Sequence, residues 1–394
     1  MTAAQSIQSL RPDYRGGSSV NLLTSLFTGL GWRRAGTPYP EHRDFGAELF
    51  ATDGPVVLVV LDGLGYHYLK ERGGALREGL RGAMDTVFPP TTATAVTSLF
   101  TGVGPQQHAQ TGWFTWYREL GAIAATLPLT TRVGWIPLHG RELDLSALFP
   151  VPPAFESLDP PCAAVLPAYL SASTYTRLHT RGARVLPYGE TVGDMFERAA
   201  TVVREGGRRY VYAYWPGFDA RAHDHGVDSV EVARHFDEMD VAFARFMERV
   251  AGSGATVLVT ADHGFIDTRP QLQVHLDHHP EIAECLAMPL CGEPRTAWCY
   301  LKPGYGERFL ERAGNELADA MIAVPSETLI EQGWFGLGEA HTALRERVGD
   351  YALIARGGHT VKDSVLGEGP FHMTGVHGGV SAEELKVPLI LTGA

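Results

Sequence analysis

Five stretches of the chain carry oxygen and nitrogen side chains of the kinds that grip divalent cations. In chain order the candidate residues are Asp62; Thr91 or Thr92; Asp219 and His223; Asp262 and His263; and His377. Carboxylate oxygen and imidazole nitrogen are ligand types that Zn²⁺ accepts. The Asp-x-x-x-His spacing of Asp219 and His223 lets both side chains reach one ion from one loop. Asp262-His263 is followed by Gly264, which permits a tight turn, and His377 sits between Gly375 and Gly378-Gly379. Each piece alone is as easily a turn, a cap or a satisfied polar histidine; the joint arrangement is what an ordinary structural role does not produce.

The elements that must position these residues are legible nearby. Val56–Leu61 is a continuous apolar, β-branched run that ends at Asp62. Such a run predicts a strand buried on both faces, as in a parallel sheet. Arg209–Trp215 reads as a second strand, ending just before Asp219, and Ala255–Thr260 as a third, ending at Asp262. Val387–Leu391 reads as a last strand, with Pro388 marking a strand start or an edge. Between them, Ser229–Val250 repeats Val232, Phe236, Met239, Val241, Phe243, Phe246 and Met247 at helical spacing. Strands alternating with helices predict an α/β fold, a doubly wound, mostly parallel sheet with helices on both faces. Ligands of such sheets bind beyond the carboxyl ends of the strands, and three predicted strands end there in acidic residues. Residues 269–370 differ in texture, with frequent Pro and Gly and short strand-like pieces such as Ala297–Leu301. They are expected to form an inserted α+β cap on a catalytic core of residues 1–268 and 371–394.

Composition narrows the function. At 394 residues the chain is long enough for one large domain with an insert. A net charge of -12 argues against a long nucleic acid as partner. It allows a small phosphate ester or nucleotide, since bound cations supply positive field locally. No apolar stretch of about 18 residues predicts a membrane span. The start, Met-Thr-Ala-Ala-Gln-Ser, lacks the basic and apolar run of a secretory leader. Cys162, Cys285, Cys291 and Cys299 form no C-x-x-C pair. Both observations predict reduced thiols and a cytoplasmic location, with a structural disulfide or metal clip among Cys285, Cys291 and Cys299 as the alternative.

Taken together, Val59-Val60-Leu61-Asp62-Gly63, Phe88-Pro89-Pro90-Thr91-Thr92 running to Thr101-Gly102 and His108, Asp219 through Gly226, Thr260 through Gly264, and Gly375 through Gly379 resemble the alkaline phosphatase superfamily. Within it they are most similar to the type I phosphodiesterase and nucleotide pyrophosphatase branch. The resemblance covers roughly residues 56–270 and 372–392. It implies two divalent ions, zinc by precedent, with Asp219, His223 and His377 on one and Asp62, Asp262 and His263 on the other. It also implies a nucleophilic threonine nine residues before Thr101, which is Thr92, bridging toward the second ion and phosphorylated transiently.

The resemblance has two gaps. Ala93-Thr94-Ala95 replaces the usual Phe-Pro-Asn. No Asn occurs in Thr111–Trp116, where a phosphate-contacting one is expected. Trp113 and Phe114, the segment at Ala93 and the loop cation Arg221 are the candidate substrate contacts. Trp116, Trp215, Phe218, Tyr66 and His67 are further pocket candidates, each with core packing or surface exposure as the plainer role. His275, Asp277, His278 and His279 could form an extra metal site or merely a surface loop. The expected reaction is hydrolysis of a phosphodiester or pyrophosphate bond. A phosphomonoesterase or phosphonate hydrolase on the same scaffold is the alternative. A sulfatase would need a Cys-x-Pro-x-Arg segment, and a phosphoglycerate mutase-like isomerase would need a serine nucleophile and a larger insert. A non-catalytic metal scaffold would have lost a ligand or the nucleophile, and none is lost.

Overall fold

The computed structural model describes residues 7, 10–33, 37–138, 144–369 and 372–393. Its main sheet has seven strands: β1 (Pro55–Leu61), β2 (Leu80–Asp85), β3 (Cys162–Pro167), β4 (Ala183–Tyr188), β5 (Arg209–Trp215), β6 (Thr256–Thr260) and β7 (Lys386–Gly393). Their spatial order is β2-β7-β6-β1-β5-β3-β4. β1 pairs in parallel with both β5 and β6, and β3 in parallel with both β4 and β5. Only β7 runs the other way, antiparallel to β2 and β6. The sheet is therefore mostly parallel, as the apolar runs predict. All seven residues of β1 are buried, which requires cover on both faces and explains why its sequence does not alternate.

Pro388 lies inside the sheet rather than at an edge. It pairs with Ala83 of β2, whereas β6 pairs with β7 only from Ile390 onward. The missing N–H therefore costs no ladder bond to β6.

Three helices place the site. α1 (Thr92–Thr101) follows Pro89-Pro90, α2 (Gly217–His225) follows β5, and α3 (Val230–Val250) carries the predicted apolar stripe except for Val241, which lies two residues from both Met239 and Phe243 and is exposed. The Ser229 hydroxyl caps α3 by accepting from Val232 N–H. Thr91 is extended (φ -144°, ψ 149°) and stands at the N-cap of α1, so Thr92 is its first helical residue.

A second, antiparallel seven-stranded sheet has the order 321–325, 351–355, 296–299, 291–293, 114–117, 122–125, 130–131. Four strands come from the expected cap, but three come from residues 114–131. The sequence signal there was weak, because these strands are two to four residues long, too short for an alternating pattern to show. The boundary expected at residues 370 and 371 lies outside the described residues.

A buried ion pair ties this second sheet to the loop after His377. The Arg295 guanidinium grips the Glu384 carboxylate at 2.6 and 2.9 Å and also donates to His359 O. Glu384 in turn accepts from Gly379 N–H at 2.7 Å. Both charges are almost fully enclosed, at 1% and 0% side-chain exposure. Removing one partner leaves a bare buried charge, so Arg295→Met is expected to cost about 3–5 kcal/mol. Urea unfolding measures this, and a double Arg295→Met/Glu384→Leu variant should recover much of the loss.

The four cysteines are all buried and form no disulfide. Among the described residues no helix is long and apolar enough to cross a membrane.

Candidate active site

The three acidic strand ends meet where the topology predicts. Asp62 follows β1, Asp262 follows β6, and Asp219 opens the first turn of α2 beyond β5. Since β1, β5 and β6 are adjacent and parallel, their carboxyl ends fall side by side. His377 arrives on the loop before β7 and closes the group. Asp219, His223 and His377 offer ligand atoms that all lie within 4.8 Å of one another. Asp62, Asp262 and His263 form a second such group. The two adjoin: Asp219 Oδ1 is 3.3 Å from His223 Nε2, 3.8 Å from His377 Nε2 and 3.9 Å from His263 Nε2.

Whether these residues suit metal ions can be judged from their remaining bonds. The Tyr214 hydroxyl donates to Asp62 Oδ2. Asp262 Oδ1 accepts from the N–H groups of Gly63 and His263 at 3.1 and 3.0 Å. Yet Asp62 Oδ1, Asp219 Oδ1 and Asp262 Oδ2 are buried without a hydrogen-bond partner. Buried unpaired carboxylate oxygens are costly unless something positive meets them. The histidines repeat the pattern. His223 Nδ1 lies 2.9 Å from Gly375 O, His263 Nδ1 3.1 Å from Gly264 O, and His377 Nδ1 3.3 Å from Pro90 O. A carbonyl can only accept, so each Nδ1 carries the proton and each Nε2 lone pair faces the acidic group. That is the orientation a metal-ligating imidazole needs. The residues therefore fit two cations.

The electrostatics agree. Burial, then the neighbouring Asp262 and Asp219, push the Asp62 carboxyl well above its usual range. Burial alone would raise Asp219 and lower His223. Their mutual attraction outweighs it, so Asp219 is lowered and His223 is raised to about 8. Burial, with His263 and His223 beside it, holds His377 well below its usual value.

Thr92 and Thr91 part company here. Thr92 Oγ1 is 3.1 Å from His263 Nε2, against the two candidate ligand groups. Thr91 Oγ1 turns to the second sheet and donates to Glu293 Oε1 at 2.6 Å. As first-turn positions, the N–H groups of Thr92 and Ala93 have no intrahelical partner. They are available to an anion at the helix N-terminus.

Other sequence candidates divide. Trp113 and Phe114 line the cleft that holds Asp62, Thr92, Asp219, His223 and His377. Trp116 instead packs against the core of the second sheet. Arg221 bends back along α2 and donates to Gly217 O at 2.9 Å; it is not among the cleft-lining residues. The reason is helical geometry, since Arg221 is two residues from Asp219 and so faces away from it. Tyr66 and His67 also lie off the cleft. Trp215 is spent on a bond to His235 Nε2, and Phe218 is buried. His279 pairs with Glu316 at 2.9 Å and Asp277 accepts from Ser364. That cluster is not among the metal-spaced groups of the described residues.

Two residues of the site escaped sequence reading, Tyr214 and Glu293. Tyr214 is one aromatic of several in an apolar strand. Glu293 lies 201 positions beyond Thr92 in the chain, and only pairing of the strands at 291–293 and 114–117 brings it in. Its Oε1 accepts both the Thr91 hydroxyl and Trp113 N–H, each at 2.6 Å. Burial pushes its carboxyl up to about 7. Gly378 (φ +100°) makes room for it, as a Cβ there would come within 2.9 Å of Glu293 Cβ. Glu293→Ala strands two buried donors, at about 1–3 kcal/mol each. It is expected to lower kcat/KM at least tenfold, whereas Glu293→Gln, which keeps an accepting oxygen, should lose far less. Steady-state kinetics of the two variants checks this.

The family model for type I phosphodiesterase / nucleotide pyrophosphatase matches residues 56–379. No curated protein matches the sequence. Among solved structures, murine ectonucleotide pyrophosphatase / phosphodiesterase 5 is similar at 16% identity, with 85% of this chain and 87% of that chain covered and a TM-score of 0.62. An inactive form of that protein in complex with AMP gives a TM-score of 0.63 at 16% identity, covering 86% and 87%. Phosphonoacetate hydrolase from Sinorhizobium meliloti 1021, in complex with phosphonoformate, is 17% identical over 86% and 90% of the chains, with a TM-score of 0.59. At these identities the solved structures bear on the fold alone. The sequence match runs from β1, which presents Asp62, to the loop of His377, and by it the chain belongs to the type I phosphodiesterase / nucleotide pyrophosphatase family, metal-dependent hydrolases of phosphoric esters.

Proposed function

We propose that the protein hydrolyses phosphodiester or pyrophosphate bonds through a phospho-Thr92 intermediate. The observation that carries the proposal is a hydroxyl, Thr92 Oγ1, standing against two adjoining ligand groups whose buried carboxylate oxygens lack partners. Asp219, His223 and His377 would hold one cation and Asp62, Asp262 and His263 the other, with Thr92 beside the latter. Zinc suits this mixture of carboxylate and imidazole. When bound, such ions neutralise phosphoryl oxygens and lower the pKa of a hydroxyl nucleophile.

The chain's own groups do the rest. The α1 N-terminus and the free N–H groups of Thr92 and Ala93 orient the phosphoryl oxygens. Thr92 Oγ1, the oxygen that attacks phosphorus, stands 3.1 Å from His263 Nε2, so a cation held by His263 would meet it as well. The alcohol or phosphate leaves as the Thr92 Oγ1–P bond forms, and water then cleaves that bond to regenerate the hydroxyl. Tyr214 holds Asp62 in place throughout.

Above about pH 7, where its carboxyl is ionised, Glu293 favours a diester over a monoester. A carboxyl beside the phosphoryl position disfavours a second negative charge on it, and a diester carries one charge where a monoester carries up to two. The alternative, monoester or phosphonate hydrolysis, draws on the missing Asn in Thr111–Trp116. Zinc-loaded protein assayed side by side with p-nitrophenyl phosphate, bis-p-nitrophenyl phosphate and a nucleotide diester separates them. Diesters are expected to turn over faster at equal concentration; a monoester used a hundredfold more efficiently reverses the assignment.

A further inference from the structure

The cleft is much larger than a phosphoryl group needs. A cavity of about 950 Å³ opens beside Thr92 and Asp62, at the upper end of the range for small-molecule sites. Its character changes away from the ligand groups. Thr92, Val96 and Phe100 recur every four residues, so they share one face of α1, and Val96 and Phe100 both line the cavity. At 1.5 Å rise per residue this wall leads about 12 Å from the nucleophile. Leu127, Leu166 and Leu170 line the cavity as well.

Several polar atoms of the lining are already committed. Arg132 binds Glu368 at 2.9 and 3.0 Å, Asp363 at 2.6 Å and the Leu290 carbonyl, and its Cζ lies 4.7 Å from the Phe114 ring centroid. The Tyr175 hydroxyl bonds Thr97 Oγ1 at 2.7 Å, and that of Tyr214 serves Asp62. A nucleobase edge set against these groups would leave its own donors and acceptors unpaired, which costs roughly tenfold in affinity per group.

The mouth repeats the theme. Nine large apolar side chains are exposed among the described residues. Trp135 (43% exposed) and Tyr169 (73%) both line the cavity, while Val133 and Ile136 share the turn of Trp135. Gly367, beside Leu366 (87% exposed), lies near that same turn, since a Cβ on it would come within 3.9 Å of Gly134 N. Two of the nine thus line the cavity and three more adjoin lining residues in the chain, the kind of exposed apolar cluster that suits an apolar ligand.

We propose that the substrate is a phosphodiester whose retained or departing ester group is an extended apolar one, a long alkyl chain, lying along the wall formed by Val96, Phe100 and the leucines. This rests on the reading of Thr92 as the attacking group. The test uses metal-loaded, full-length protein and a series of alkyl p-nitrophenyl phosphates from methyl to octyl, with thymidine 5′-p-nitrophenyl phosphate beside them. Each methylene buried is worth up to about fourfold. kcat/KM should therefore rise roughly thirtyfold or more from methyl to octyl, and the octyl ester should exceed the nucleoside ester. In Trp135→Ala, whose side chain is largely at the surface, the octyl-to-methyl ratio should fall severalfold. Quenching of tryptophan fluorescence by octylphosphonate, methylphosphonate and AMP supplies a readout independent of turnover, and octylphosphonate should bind at least tenfold more tightly than the other two. A flat response to chain length in both experiments overturns the proposal. So does a nucleoside preference, which would point to Gln273 and Lys362, polar side chains that share the lining. Failure to cleave any ester counts against the hydrolase reading instead, and the binding series still decides what the cavity holds.

Discussion

Thr92→Ala is expected to lower turnover by roughly a thousandfold or more, the scale seen when a nucleophile is removed from a covalent mechanism. The same change should leave folding nearly intact. Thr92 is the first residue of α1 and not its N-cap, so the capping contribution of about 1 kcal/mol belongs to the neighbouring position. Both ions should remain bound, because six other side chains supply the two groups. Thr91→Ala provides the contrast. Thr91 carries no nucleophile's geometry; its hydroxyl serves Glu293 at 2.6 Å. Its loss should cost about 1–3 kcal/mol in stability or transition-state binding, a modest fall in kcat/KM. Trapping with radiolabelled substrate should place the label on Thr92 in the parent protein and on nothing in Thr92→Ala. Equal effects of the two substitutions, or unlabelled parent protein under burst conditions, would mean that water attacks directly.

Chelation is expected to remove two divalent ions per chain and to abolish activity by a factor on the order of a thousand. Elemental analysis of metal-replete protein checks the stoichiometry, and one tightly held ion would refute it. The pH dependence of binding follows from the ligands. In the metal-free protein His223 is raised from 6.5 to about 8 by Asp219, and Asp62 is raised well above 3.8 by burial and its acidic neighbours. The raised His223 stabilises the metal-free fold fully below pH 6.5, and that contribution is lost as pH rises through about 8. Asp62 acts in the same direction, since burying its charged form grows costlier as it deprotonates. Cation binding needs both groups deprotonated, so protons compete with the ions below about pH 8. Metal-free protein should thus melt lower at pH 8.5 than at pH 6.5. The increase in Tm on adding zinc should be larger at pH 8.5, with about 4 kcal/mol per ion once the ion exceeds its Kd a thousandfold. A zinc-induced shift that is larger at pH 6.5 than at pH 8.5 would contradict this linkage.

The strands that carry the ligands were legible because each is a local signal. A continuous apolar run such as Val56–Leu61 can only be satisfied by burial on both faces, and an acidic residue placed directly after it has no packing reason to be there. Asp62, Asp219 and Asp262 could be named on that ground, with His223 and His263 close behind them, and the adjacency of parallel β1, β5 and β6 then makes their convergence a consequence of topology; His377 was marked by its flanking glycines instead. Cations, by contrast, cannot be read from sequence proximity alone. Arg221 lies two residues from Asp219, yet the helix turns it away.

What tertiary structure alone decided depends on contacts between segments far apart in the chain. Glu293 meets Thr91 across 202 positions. That meeting separates two adjacent threonines into one that faces His263 and one that faces the second sheet. The strands of residues 114–131 join those of 291–355 because edge N–H and C=O groups need partners, and short strands announce no partner in their own sequence. The cavity beside Thr92 has the same origin. Val96, Phe100, Leu127 and Leu170 each read as ordinary core residues, since apolar side chains look alike whether they face one another or an opening. Only the assembled walls distinguish a filled interior from a space kept open, because packing is a property of the whole set of neighbours and not of any residue within it.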